Sequence, residues 1–177
     1  MKSDFSLAIR RVELSEAEKL RALAERTFRD AWQTMNDPTD FEAYCRENFA
    51  LEKLRAELAQ PDEEFYFALF DEKPIAYLKL NIGSHPKSSD EFEGKTVQVH
   101  RIYVLQDFQS QRIGEKLLQF SEARALELGA KWLWLTVWQE APRAIRFYEK
   151  NGFEICGTET FWLGDDAQKD WLMRKKL

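Results

Sequence analysis

Cysteine and histidine are scarce. The chain has two of each in 177 residues: Cys45, Cys156, His85 and His100. Two distant cysteines make no disulfide framework, and these residues are too few for a zinc cluster, so no metal is expected. No apolar run reaches the ~18 residues that a membrane span needs. Met1-Lys2-Ser3-Asp4 opens no apolar stretch of the signal-peptide kind. A cytoplasmic protein without a membrane partner is the expectation. A basic surplus is also missing: the net charge is −5 and the pI about 5.3, which argues against a nucleic-acid surface. The chain has neither the G-x-G-x-x-G of a dinucleotide fold nor the G-K-[ST] of a P-loop. No repeat, linker or low-complexity tract divides it.

What is present suits a globular domain. Hydrophobic residues make up 44% and charged residues 32%, the balance of a packed core under a polar surface. The length suffices for one domain with a full core, and residues 1–177 read as that single domain.

Taken in order, Phe5 to Val12 reads as a strand. Ser15-x-x-Glu18 has the form of a capping box. The helix it opens carries Leu20, Leu23, Ala24, Thr27 and Phe28 at helical spacing, and Asn36-Asp37-Pro38 stops it. Thr39–Phe49 and Leu51–Leu58 read as two short helices. Glu64–Phe70 and Ile75–Ile82 form a hairpin over a four-residue connection, Asp71-Glu72-Lys73-Pro74. Gly83–Gly94 is the most polar loop. Trp132–Trp138 is apolar on both faces, as in a strand covered on both sides and paired in parallel; with the helix before it, which runs to Leu128, it makes a β-α-β unit. Ala141–Lys150 is a helix begun by Pro142. Phe153–Leu163 and Asp170–Leu177 close the chain as an antiparallel hairpin. The fold class is mixed α/β.

The chain is organised around Val97–Gly114. Val97 and Val99 alternate with Gln98 and His100, the period of a half-buried strand. The phase then slips by one residue, because Ile102 and Val104 are the next aliphatics. Such a slip is the mark of a β-bulge, which re-aims side chains and leaves backbone groups unpaired. A polar loop follows and opens a helix at Glu115-Lys116-Leu117-Leu118. Strand, loop and helix start together offer free N–H groups and a positive dipole end to an anion such as a phosphate.

Two segments in this order carry a resemblance. IYVLQDFQSQRIGEKLL is similar to the strand, pyrophosphate loop and helix of the GNAT N-acyltransferases, and RAIRFYEKNGF (Arg143–Phe153) to that family's A-x-x-x-Y-x-x-x-G-F helix and turn. More narrowly, RTFRDAWQTMNDP, VWQEAPRAIRFYEKNGF and FWLGDDAQKDWLMRKKL look like the bacterial Pai-type spermidine/spermine N-acetyltransferases. The sequence departs from the family pattern at two places. Arg112 stands where the loop's first glycine is usual, leaving Gly114, and Ala141 replaces an asparagine often found before the second helix.

The resemblance implies a mostly antiparallel central sheet with one parallel pair, Val97–Val104 and Trp132–Trp138, splayed at its C-terminal end. It implies acetyl-CoA as co-substrate and no metal. The backbone of Ile102, Tyr103 and Val104 then receives the pantetheine arm. Gln109, Ser110, Gln111, Arg112, Ile113, Gly114 and Glu115 receive the pyrophosphate, and Trp138, Ala144 and Phe147 flank the cofactor. Tyr148 is implied as the acid that protonates the leaving sulfur. His100, by its own position in the organising strand near the bulge, is a candidate for the base or for part of a water chain to it, against the alternative of a half-exposed strand histidine. The acceptor implied is a small-molecule amine, by subgroup a polyamine. Asp30, Asp37, Asp40 and Glu42 are candidates for an acidic mouth, against the alternative of plain solvated helix faces. A peptide N-acetyltransferase and a non-catalytic acyl-CoA-binding regulator are the competing functions. A homodimer is allowed by the resemblance.

Overall fold

The computed structural model describes residues 7–87 and 92–177. Its frame is a seven-stranded sheet: β1 (Ala8–Arg11), β2 (Glu63–Phe70), β3 (Lys73–Ile82), β4 (Thr96–Val104), β5 (Trp132–Trp138), β6 (Glu154–Leu163) and β7 (Asp166–Lys176). The spatial order is β1-β2-β3-β4-β5-β7-β6. Every pairing is antiparallel except β4 with β5. Helices α1 (Ala17–Trp32), α2 (Pro38–Asn48) and α3 (Leu51–Leu58) pack on one face, and α4 (Ile113–Glu127) and α5 (Pro142–Lys150) on the other. This is the mixed α/β architecture expected, with the parallel pair where it was placed.

Each face buries its own core. Leu78, Leu80, Val97, Val99, Leu133 and Leu135 point to α4. Phe65, Phe67 and Tyr77 point the other way, against Leu20, Phe28 and Phe41. Strands buried on both faces read as nearly unbroken apolar runs, which is why Phe65–Leu69 and Leu133–Leu135 lack alternation.

Local details differ from expectation at four places. The first strand, β1, spans Ala8–Arg11, so Leu7 and Val12 fall outside it, while Phe5 and Ser6 lie outside the described residues. Ser15 does not cap α1. A 3-10 turn over Leu14–Glu16 precedes the helix, and Glu13 N–H donates to Glu16 Oε2 at 3.3 Å. The box is thus made by Glu13 and Glu16 rather than by Ser15 and Glu18, and Arg10 fixes the Glu16 carboxylate with two bonds of 2.7 and 2.8 Å. The β2–β3 connection is two residues, not four. Asp71 and Glu72 both take positive φ, 47° and 61°, which matches the twist of the flanking strands. Lys73 and Pro74 already belong to β3, Pro74 being tolerated near the strand start, and a bulge at Ala68/Leu69 absorbs the register. Finally, β7 begins at Asp166 rather than Asp170.

The β6–β7 turn is pinned to the helical layer. Gly164 has φ 62°, and a Cβ there would stand 2.7 Å from the Asp40 Cα. Only glycine allows that approach. Asp165 N–H donates to Asp40 Oδ1 at 2.9 Å. The long hairpin is thereby held against α2, and it forms one wall of the cleft described next.

Candidate active site

The parallel ladder is short. Thr96 pairs with Trp132, Val97 with Leu133 and Gln98 with Trp134, and there it ends. From Val99 onward β4 has no ladder partner on the β5 side, although it stays paired with β3 as far as Val104. A cleft of about 440 Å³ opens at the split, within the range of small-ligand pockets. Val99 to Tyr103 line one side and Thr136 to Trp138 the other.

The phase slip in β4 is a bulge. Lys79 pairs with Arg101 and Leu80 with Val99, so His100 is left without a partner. The extra residue puts Arg101 and Tyr103 on the α1–α3 face, where the Arg101 guanidinium lies 5.4 Å from the Phe49 ring centre. Tyr103 stacks on Tyr77 at 5.9 Å, and its hydroxyl accepts a 3.0 Å bond from Trp32 Nε1. His100 lines the cleft and keeps contact with solvent. The enclosing walls, together with the charges of Arg101, Lys79 and Lys53, push its pKa well below the ordinary histidine range.

Tyr148 reaches the cleft from α5. Pro142 occupies the first turn of that helix, and Asn151 Nδ2 donates to the Phe147 carbonyl at its end, 2.8 Å away. Gly152, at φ 87°, makes the exit. Ala144 and Tyr148, one turn apart, both line the cleft. The Tyr148 ring is wedged against Phe147 and Phe153, with centroids at 5.2 and 5.8 Å. Burial, with a smaller contribution from Tyr103, raises its phenol pKa, so the hydroxyl keeps its proton at neutral pH.

Beyond the end of β4 lies the loop that opens α4. A 3-10 turn over Gln106–Phe108 is followed by Ser110 and Arg112, both left-handed, at φ 66° and 60°. Gln109 Nε2 ties the loop back by donating to the Val104 carbonyl at 3.2 Å. Lys116 N–H to Arg112 O, 3.1 Å, is the first bond of the helix. The N–H groups of Ile113, Gly114 and Glu115 therefore have no carbonyl to meet within the helix. Left-handed residues beside such free donors form an anion-binding concavity. A Cβ at Gly114 would meet the Phe147 ring at 3.2 Å, so this glycine lets α4 start close against α5. The unpaired β4 edge and the free N–H groups fit an extended thioester carrier with a phosphate end, such as acetyl-CoA.

Residues 18–153 match the acetyltransferase (GNAT) family profile. The chain belongs to that family. An N-acetyltransferase from the pepI 3′ region of Lactobacillus delbrueckii subsp. lactis is 32% identical over 168 residues, 94% of this chain and 96% of that protein. A spermidine N(1)-acetyltransferase of Thermoplasma acidophilum is 23% identical over 175 residues, 97% of this chain and 98% of that one. The PaiA N-acetyltransferase of the same organism, solved with coenzyme A, superposes with a TM-score of 0.80 at 24% identity, covering 97% of this chain and 99% of that one. The protein is an acetyl-CoA-dependent N-acetyltransferase of the GNAT family. Among the described residues no helix is long and apolar enough to cross a membrane, and no cluster of metal ligands is formed.

Of the residues singled out in this GNAT chain by sequence, the structure gathers His100, Ile102, Tyr103, Trp138, Ala144 and Tyr148 around one cleft. Gln109 to Glu115 form the loop at the end of β4, and Phe147 faces Gly114. The acidic mouth does not form. Asp37 caps α2, accepting from Thr39 and Asp40 N–H at 2.8 and 3.2 Å. Asp40 holds the β6–β7 turn, Glu42 pairs with Arg29 at 2.5 Å, and Asp30 lies 3.9 Å from Arg26. None of the four lines the cleft. The carboxylates that do are Glu159 and Asp170, neighbours across the β6–β7 ladder. Sequence reading missed them, although one signal was available. Asp170 lies two residues from Leu172, and period-2 geometry puts both on the same, buried face.

Proposed function

We propose that the enzyme acetylates a primary amine of a small molecule by direct attack on acetyl-CoA in a ternary complex. The observation that carries this reading is the end of the β4–β5 ladder after Gln98–Trp134, with Tyr148 at the resulting cleft. The backbone of Ile102, Tyr103 and Val104 supplies hydrogen bonds along the pantetheine arm. The N–H groups of Gln109 to Glu115 meet the pyrophosphate, and Trp138, Ala144 and Phe147 flank the chain. The amine nitrogen attacks the thioester carbonyl carbon, the C–S bond breaks, and Tyr148 gives its proton to the departing sulfur. His100 belongs to a water chain at the cleft wall, because its neighbours Arg101, Lys79 and Lys53 are cations that repel an incoming ammonium.

The acceptor we favour is a polyamine. The similarity to a spermidine N(1)-acetyltransferase supports it. So does the cleft lining, which pairs Glu159 and Asp170 with the aromatic rings of Trp32, Tyr44 and Phe161; carboxylates and π faces both attract alkylammonium groups. The test is thiol release from acetyl-CoA with spermidine, a monoamine of matched length and a set of peptides. Spermidine is expected to be preferred, with kcat/KM falling more steeply with salt than for the monoamine. A peptide preferred tenfold at equal salt would retire the polyamine and leave acetyl transfer standing.

A further inference from the structure

An alkyl ammonium has a pKa near 10 and must lose a proton before its nitrogen can attack. The cleft holds one group built to receive it. Asp170, on β7, is only 6% exposed, yet it lines the cleft. Its Oδ1 is buried with no hydrogen-bond partner among the described residues. A buried carboxylate oxygen without a donor loses its hydration for nothing in return. The position is enforced: Asp170 faces Trp138 across β5 and Glu159 across β6, and Leu172, on the same face, is fully buried. The side chain stands at the cleft wall beside Thr136.

We propose that Asp170 binds the acceptor's reacting ammonium and takes its first proton. This deepens the reading above and rests on it. One proton moves from nitrogen to Asp170 and on to solvent. The amine lone pair then forms the C–N bond and the C–S bond breaks; Tyr148 gives its proton to the sulfur, and the second proton leaving nitrogen passes through water to restore the Tyr148 hydroxyl. Burial pushes the Asp170 carboxyl up, the Thr136 hydroxyl draws it down, and Glu159 adds to the rise, leaving it at about 6. It is thus ionised at neutral pH and closer to the ammonium's pKa than an ordinary aspartate. The other charged or titratable groups around the cleft are Glu159 on β6, His100, Arg101 and Tyr103 on β4, Tyr44 on α2, Tyr148 on α5, and Lys87 before β4. Among them Arg101 and Lys87 are cations and His100 is held neutral, so the carboxylates are where an ammonium is attracted.

The test is kcat/KM for spermidine between about pH 5 and pH 10, by thiol release. Wild type is expected to lose activity below about pH 6 and to hold a plateau above it, the signature of an enzyme that binds the cation. Asp170→Asn removes that acid limb and lowers kcat by about 10²–10⁴-fold, with coenzyme A binding and Tm kept as the check on folding. His100→Gln keeps the limb. Thr136→Val, which leaves Asp170 in place, moves the limb to higher pH and covers the case in which the asparagine variant fails to fold. Wild-type kcat/KM climbing steadily to pH 10 with the free-amine fraction, or an unchanged limb in folded Asp170→Asn, would overturn the Asp170 assignment alone. No turnover by wild type with spermidine or any other amine would overturn the transferase reading and the assignment together.

Discussion

Lys79 and Arg101 stand directly opposite each other in the β3–β4 ladder, two buried cations side by side. Like charges so placed repel. Lys79 is compensated by Glu57 and Glu63, at 3.0 and 2.5 Å. Arg101 instead meets the Phe49 ring and the Tyr44 hydroxyl, while its Nη1 has no hydrogen-bond partner among the described residues. The bulge puts His100 beside this buried charge. Arg101→Met is therefore expected to raise the His100 pKa toward its ordinary value of about 6.5. The fold should hold, since an apolar residue of similar volume replaces a desolvated guanidinium. An NMR titration of the His100 imidazole reads the change. A His100 resonance that titrates as before would show that Arg101 does not act on it.

Tyr148→Phe is expected to lower kcat by about 10²–10⁴-fold, the usual loss for a general acid, while KM for acetyl-CoA stays within a few-fold. The ring contacts with Phe147 and Phe153 survive the change, so Tm should move little. A turnover equal to wild type would make Tyr148 a packing residue and hand the proton to water.

How much of this was legible depends on how local each cause is. The bulge showed because it shifts the alternation of adjacent residues, from Val97–Val99 to Ile102–Val104. The helix that carries Tyr148 showed because Pro142 and Gly152 bracket it within eleven residues. The acidic mouth failed for the converse reason. Asp37 and Asp40 are claimed by a cap and by a turn 125 residues away, and a carboxylate's partner is not written beside it. Asp170 needs β7 inserted between β5 and β6, a topology that the order of strands along the chain does not disclose.

Arg112 takes the left-handed conformation, φ 60°, at the loop position where the family commonly has glycine. For a residue with a Cβ that costs about 1–2 kcal/mol. Glycine removes the strain but returns about 0.4–1 kcal/mol of freedom to the unfolded chain. Arg112→Gly is therefore expected to stabilise by up to ~1 kcal/mol, a rise in Tm of about 2–4 °C for a domain of this size. A fall in Tm would mean that the arginine side chain holds the loop together.

Gly114→Ala probes the contact between α4 and α5. The new Cβ would stand 3.2 Å from Phe147 Cζ, so the ring or the helix start must shift. Calorimetry should show coenzyme A binding weakened several-fold, and Phe147→Leu in the same chain should restore part of it by freeing space. Additive effects of the two changes would place the loss elsewhere than in this contact.

Glu64 anchors the far side of the sheet, and it sets an acid limit on the fold. It is buried on β2. Arg124 of α4 reaches it with bonds of 3.0 and 2.8 Å, Tyr66 donates at 2.6 Å, and Arg11 of β1 lies 2.9 Å away. Burial alone would raise its pKa, but these partners outweigh burial and hold it down at about 2. An unfolded glutamate titrates near 4.3. The stability that this difference supplies is full above that value and drains as the pH falls through the folded one. Roughly two pKa units correspond to ~3 kcal/mol. Urea unfolding at a series of pH values should show wild type losing that much between about pH 4.5 and 2. Glu64→Gln should start lower at neutral pH, because two arginines lose their partner, and should then run flatter through the same window. Glu16 and Glu42 also titrate low, each held down first by its arginine, Arg10 and Arg29, so both curves keep a residual slope. The difference between them isolates Glu64, and two parallel curves would refute its role as the acid-sensitive tie between β1, β2 and α4.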